Sequence, residues 1–326
     1  NSSNLTLNLG EKFDTSNVTT MDSMFRSIAH SASDFTLNLG NKFDTSKVSS
    51  MGYMFYEAIS VTNLDLGNKF DTSNVVNMNS MFRAVGTSHN DFTLNLGDKF
   101  DTSNVTVMVN MFWGTASSNK SFTLDLGNKF DTRNVTDMRN MFDTVGYNST
   151  VFSINLGDKF NTSNVNDFGK MFANTGYNST NFVLDLGDKF YTSNMTNTWY
   201  MFFGTGYNSK SFYLDLGANF DTSNVTVMQC MFSNAGNKAT SFELKLGNKF
   251  KTDKVKIFYW MFNGTGRNAN SWILDLSTFT FDSADNYGAF LGTSNAIIYV
   301  KSEVEKNWIL DKNFTGVSSS NVIVKS

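Results

Sequence analysis

The residues best able to do chemistry recur in register. Asp14, Asp44, Asp71, Asp101, Asp131 and Asp221 occupy one column of a repeated pattern. A stack of carboxylates could hold calcium or imitate the paired acids of a glycosidase. The same column carries Asn161, Tyr191 and Lys251, however, and lysines stand two residues earlier at Lys12, Lys42, Lys69, Lys99, Lys129, Lys159 and Lys189. A structural charge ladder is therefore the better expectation than a metal column. The two histidines, His30 and His89, fall in variable stretches with no Ser/His/Asp order and no metal-ligand spacing. Gly204-Thr205-Gly206 and Gly264-Thr265-Gly266 begin like a dinucleotide loop but lack the third glycine and the preceding strand. Cys230, the single cysteine, precludes an intramolecular disulfide and a Cys-based zinc site. The expectation is a non-enzyme with no catalytic residue, metal or cofactor. A carbohydrate-active solenoid enzyme is the remote alternative, because one chemistry repeated down a ladder is not one tuned pair.

The elements that must position these residues are set by the repeat. A Leu-x-Leu-Gly element starts at Leu7, Leu37, Leu64, Leu94, Leu124, Ile154, Leu184, Leu214 and Leu244, with an altered copy at Leu274. The steps are 30 residues except from Leu37 to Leu64, which is 27. A fixed period of this size signals stacked units, none of which can bury its apolar face alone. Phe35, Leu37 and Leu39 alternate with Thr36 and Asn38, which predicts a short strand ended by Gly40. Val48, Met51, Met54 and Phe55 follow at i, i+3, i+6 and i+7, which predicts a helix with Asp44, Thr45 and Ser46 at its start. Stacking about 4.8 Å apart turns each column into a packed ladder, including the phenylalanines from Phe13 to Phe250.

The fold expected is thus a repeat solenoid, an α/β leucine-rich-repeat coil of about ten repeats of 30 residues. Each repeat supplies a short parallel strand and a short helix. The solenoid spans 1–292, and 293–326 reads as a strand-helix-strand cap through Ile298-Tyr299-Val300, Ser302 to Leu310 and Val322-Ile323-Val324. No matching cap precedes Leu5 in this sequence, so the expectation is that the first strand either is extended by further sequence or offers an edge for self-association into fibres or head-to-tail stacks.

The repeated Phe-Asp-Thr-Ser-Asn-Val-Thr-x-Met-x-x-Met-Phe, intact at 13–25, 100–112 and 220–232, closely resembles the BspA-like leucine-rich repeats of bacterial surface proteins and mycoplasma lipoproteins. The tail Ile298-Tyr299-Val300-Lys301 with Lys306-Asn307-Trp308-Ile309 resembles the segment that closes such arrays. The resemblance implies a secreted or cell-surface binding or adhesion module that engages a host or neighbouring-cell protein or glycan. The repeat here is longer than that family's common unit, and neither a sorting signal nor a lipid-attachment cysteine is present.

Composition agrees with a polar display surface. A net charge of -3 with 17% charged residues favours neither nucleic acid nor an anionic membrane. No apolar run approaches the ~18 residues needed to cross a bilayer, so membrane insertion is not expected. Two surfaces are candidates for ligand binding. On the strands, the outward columns lose their polar monotony towards the C-terminal half, at Val183, Tyr213, Glu243 and Ile273 with Asp185 and Asp215 beside them. At exposed positions of the expected helices, Trp113, Trp199, Tyr200, Phe203 and Trp260 offer large rigid contact area, as do Tyr53 and Tyr259. Tyr147, Tyr177 and Tyr207 share a column and serve better as loop staples than as a site.

Overall fold

A computed structural model describes every residue except 1–4, 29, 31, 33, 34, 41, 68, 69, 89, 282–286, 294 and 326. The chain divides into two compact units, Asn1–Asn164 and Val165–Ser326. Each is a repeat solenoid whose coils carry one short parallel strand apiece. The first holds β1 (Leu5–Asn8), β2 (Phe35–Asn38), β3 (Asn63–Asp65), β4 (Thr93–Asn95), β5 (Ser121–Asp125) and β6 (Val151–Asn155). The second holds β7 (Asn181–Asp185), β8 (Ser211–Asp215), β9 (Ser241–Lys245), β10 (Trp272–Leu276), β11 (Ala296–Val300), helix α1 (Glu303–Leu310) and β12 (Val322–Val324).

Strand pairing follows the repeat without slippage. Leu7 lies opposite Leu37, Leu124 opposite Ile154, and Leu184, Leu214 and Leu244 form one row across β7, β8 and β9. In the first unit the strands pair as β1–β2, β3–β4 and β5–β6, and the sheet opens between pairs. Clefts of ≈ 500 and ≈ 740 Å³ mark the openings beside Gly67 and Gly127. Gly97 and Gly157, in left-handed conformation, close against the carbonyls of Gly67 and Gly127 so tightly that no side chain fits there.

Among the described residues, the helix expected in each repeat does not follow any of the strands β1 to β10. From Met21 to Ile28 the chain is a ribbon of tight turns, with left-handed residues at Ser23 and Ser27. Its N–H groups alternate in use. Met21, Ser23, Phe25 and Ser27 donate to the next coil at Ser50, Gly52, Met54 and Tyr56, over 2.9, 2.9, 2.9 and 2.7 Å, whereas Met24, Arg26 and Ile28 donate three residues back. A helix would spend every N–H beyond its first turn on its own carbonyls. The ribbon spends half of them on stacking, and a left-handed residue every fourth position turns the same apolar spacing inward. Val48, Met51, Met54 and Phe55 are accordingly all at 0% exposure. The ribbon stays bonded where the sheet opens, as in Met51 N–H to the Asn77 carbonyl at 3.0 Å.

Aromatic ladders fill the interiors. Phe55, Phe82, Phe112 and Phe142 stack at centroid separations of 5.8, 5.4 and 5.9 Å in the first unit. Phe190, Phe220 and Phe250 do so at 6.0 Å in the second. The column threonines are not helix caps. Thr222 is buried, donates to the Lys251 carbonyl at 2.6 Å and accepts from the Lys251 N–H at 2.6 Å. Thr15 and Thr192 make the same pair of bonds to Asp44 and Asp221. One hydroxyl thus joins two coils where an apolar side chain of equal size could not.

At the C-terminus β10, β11 and β12 form one parallel sheet. Ser302 caps α1 by accepting from the Val304 N–H, and the Glu305 carboxylate accepts from the Ser302 hydroxyl, which holds the cap in place. Trp308 stacks on Phe281 at 4.4 Å and Ile309 is buried.

Candidate functional site

The outward rows of β7, β8 and β9 bring five of the candidate residues together with one more. Val183, Tyr213 and Glu243 lie side by side, and Asp185, Asp215 and Lys245 form the parallel row two residues on. Alternation sets this face outward, because Phe182, Leu184, Phe212, Leu214, Phe242 and Leu244 take the inner one. Asp185 and Asp215 each accept from the N–H of the glycine that ends their strand, at 2.9 Å, which fixes one carboxylate oxygen and leaves the other. On Asp215 that oxygen accepts from the Tyr213 hydroxyl at 2.8 Å, and the Lys245 ammonium donates to the same hydroxyl at 2.8 Å.

Lys245 also stands 3.5 Å from Glu243 and 3.8 Å from Asp215. Its pKa is raised, chiefly by the Tyr213 hydrogen bond, so it is a cation at neutral pH. On Tyr213 the Lys245 bond pulls the phenol down, while the Asp215 bond, burial and the Asp215 charge together lift it above its ordinary value. These ion pairs are half-exposed and add little stability. Their consequence is geometric: a hydroxyl, an ammonium and carboxylates are held at fixed positions beside an open groove of ≈ 440 Å³ lined by Asp185, Asp188, Asp215 and Lys245. Val183 is 60% exposed beside it. Ile273, 54% exposed, belongs instead to the sheet of β10, β11 and β12, opposite Ile297.

The aromatic candidates do not form one patch. Trp113 belongs to the first unit, half-buried, with the Arg83 guanidinium 3.6 Å from its ring centre. In the second unit Trp199, Tyr200 and Phe203 do cluster, at 5.0 Å between the first two rings and 5.2 Å between the last two. Lys170 lies 4.9 Å over Trp199. Tyr200 is left-handed, and its phenol is pushed up to about 12 by its hydrogen bond with Cys230 and by burial. Trp260, also left-handed, packs against Tyr287 at 5.6 Å. Tyr177 and Tyr207 stack face to face at 4.7 Å, as loop staples do.

The aspartate column is a row of turns. Asp14, Asp44 and Asp101 accept from the N–H of the serine two residues on at 2.8 to 2.9 Å, and Asn161 does the same for Ser163 at 2.8 Å. Because Asn serves as well as Asp, a local acceptor explains the column without a charge. Asp71 is held below the usual carboxylate range by the Ser73 hydroxyl first, with Lys99 and Lys129 as lesser causes. No group of three or more His, Cys, Asp or Glu side chains is placed to hold a metal among the described residues. His89 and Lys69 lie outside the described residues. Sequence reasoning overlooked Arg26, Tyr56 and Arg83, which precede Trp113 in one column and alternate cation with ring.

No helix of the described residues is long and apolar enough to cross a membrane. No curated protein and no solved structure matches the chain. A family model described as Mycoplasma protein of unknown function, DUF285, matches it in three overlapping stretches, residues 1–114, 84–212 and 176–298. These stretches cover the repeats of both units, and the chain belongs to this Mycoplasma repeat family, DUF285.

Proposed function

We propose that the chain is a non-catalytic binding module, secreted or held at a cell surface, that presents the outward rows of its strands to a host or neighbouring-cell protein or glycan. The observation that carries this reading is the change of character at Val183, Tyr213, Glu243 and Lys245. An exposed apolar side chain stands there beside fixed polar groups and an open groove, in columns that hold only Thr, Ser, Asn and Asp in the first unit. Buried invariant positions serve packing, and departure from the pattern on an exposed face serves recognition. The likeness of the repeated motif to BspA-like leucine-rich repeats supports display outside the cell. A glycan and extracellular-matrix array probed with the intact chain tests the reading. Binding to a discrete ligand, lost in Val183→Asp and in Tyr213→Ala, is expected. Undiminished binding in both variants, or new reducing ends released from a polysaccharide panel, would overturn it.

A further inference from the structure

In the first unit, Arg26, Tyr56, Arg83 and Trp113 come from four successive coils and occupy one column of the turn ribbon. The backbone places them: the N–H groups of Ser27, Glu57 and Ala84 donate to the carbonyls of Tyr56, Arg83 and Trp113 over 2.7 to 2.8 Å. The Arg26 guanidinium lies 4.9 Å from the Tyr56 ring centre, Arg83 lies 5.1 Å from it, and Arg83 is 3.6 Å from Trp113. The two guanidinium carbons are therefore within about 10 Å of one another. Among the described residues neither has a carboxylate within ion-pair distance; the nearby Glu57 carboxylate is taken up by the Tyr56 phenol and by the Ser27 hydroxyl at 3.5 Å.

Planar forks held against ring faces lose little freedom when they engage an anion, and they match carboxylates bidentately. Tyr53, 37% exposed, packs edge-on against Tyr56 at 5.7 Å and adds apolar contact. Arginine, tyrosine and tryptophan together are the composition of protein-binding hot spots. Both arginines lie against Tyr56 and Arg83 also lies against Trp113, so the rings already engage cations and favour an anion at the forks over a stacked base.

We infer that the Arg26–Tyr56–Arg83–Trp113 ladder is a docking site for an acidic, extended segment of a partner protein, with two of its carboxylates seated on the two guanidinium forks. The site lies on the ribbon and is independent of the strand face of β7, β8 and β9, so either reading can fail alone.

Fluorescence anisotropy with a labelled peptide of alternating Glu and Ser tests it, beside a sulfated heparin fragment and oligothymidylate. The peptide is expected to bind more weakly as salt rises, with affinity reduced tenfold or more in the Arg26→Gln/Arg83→Gln double variant. Arg83→Lys, which keeps charge and loses the fork, is expected to fall between. Circular dichroism checks that the variants fold, and if the double variant does not, Arg26→Gln alone, at an exposed position, is expected to weaken binding several-fold. The inference is overturned by absent peptide binding, by equal affinity in the glutamine variants, or by binding of the heparin fragment or the oligonucleotide without the peptide.

Discussion

Replacing Thr222 by valine tests whether the buried threonine column joins the coils. The valine fills nearly the same volume, so no cavity opens. What is removed is the hydroxyl that both donates to and accepts from the Lys251 backbone at 2.6 Å in each direction. Leaving a donor and an acceptor without partners costs about 1–3 kcal/mol each when they are buried. Lys251's backbone is only partly buried, so roughly 2–4 kcal/mol is expected for the pair. Thr222→Ser keeps both bonds and loses a methyl group, for about 1 kcal/mol. Chemical denaturation followed by circular dichroism measures both, and hydrogen exchange at the Lys251 amide locates the effect, since its protection is expected to fall in the valine variant and persist in the serine one. If valine proves no more damaging than serine, or the Lys251 amide keeps its protection, the hydroxyl does not bridge the coils.

The glycines that end strands are expected to differ sharply. Gly187 is left-handed but has open space where a methyl group would go, so Gly187→Ala costs roughly 1–2 kcal/mol, whereas Gly217→Ala drives a methyl group into the Gly187 carbonyl and lowers thermal stability further. Equal melting temperatures for the two variants would contradict the stacking. Burial raises the Glu305 carboxyl, but hydrogen bonds from Ser302, the backbone and Lys301 outweigh it and hold the pKa below its ordinary value. A lowered folded pKa stabilises above the unfolded value and is lost as pH falls through the folded one. Glu305→Gln is therefore expected to cost about 0.5–2 kcal/mol at neutral pH, with the gap to the parent closing below about pH 4 in acid titrations of stability. In Cys230→Ala the Tyr200 phenol should ionise nearer its ordinary value, lower than about 12, in a difference-absorbance titration against Tyr200→Phe. An unmoved titration there would remove the Cys230 bond as the cause.

Much of the architecture was legible because stacking makes every column a ladder. The alternation in Phe122-Thr123-Leu124 gave β5, and the spacing of Val105, Met108, Met111 and Phe112 gave a buried row, all at 0% exposure. The conformation of that row was not legible. Apolar residues three, three and one apart suit a helix and equally suit a ribbon with a left-handed residue every fourth position. The first left-handed position of these ribbons carries Asn110, Tyr200 or Trp260 and nothing marks it, whereas the second, four residues on, is glycine at Gly114, Gly204 and Gly264. The threonine column stands where a cap or turn residue would, and Thr45 does open a turn, its carbonyl accepting from the Val48 N–H at 3.0 Å; that its hydroxyl finds its partner at Asp71 in the next coil is visible only once the coils stack. Of the candidate surfaces, the rows of β7, β8 and β9 followed from register alone, while Trp113 and Trp260 required the neighbours that pack on them, Arg83 and Tyr287.

The alternating use of N–H groups along the turn ribbon has a bearing on how such a chain can change. Inserting or deleting a single residue there would exchange the groups that stack with the groups that close turns, and would turn buried methionines towards water. Length can vary only where the ribbon has ended and the next strand has not begun, which is where the 27-residue step falls. Because each coil addresses its successor through the same backbone atoms whatever its outward side chains, one coil can follow almost any other. Gain, loss or exchange of a whole repeat would leave the interior intact while recomposing the exterior, so the unit that this stacking lets vary is the coil and not the residue.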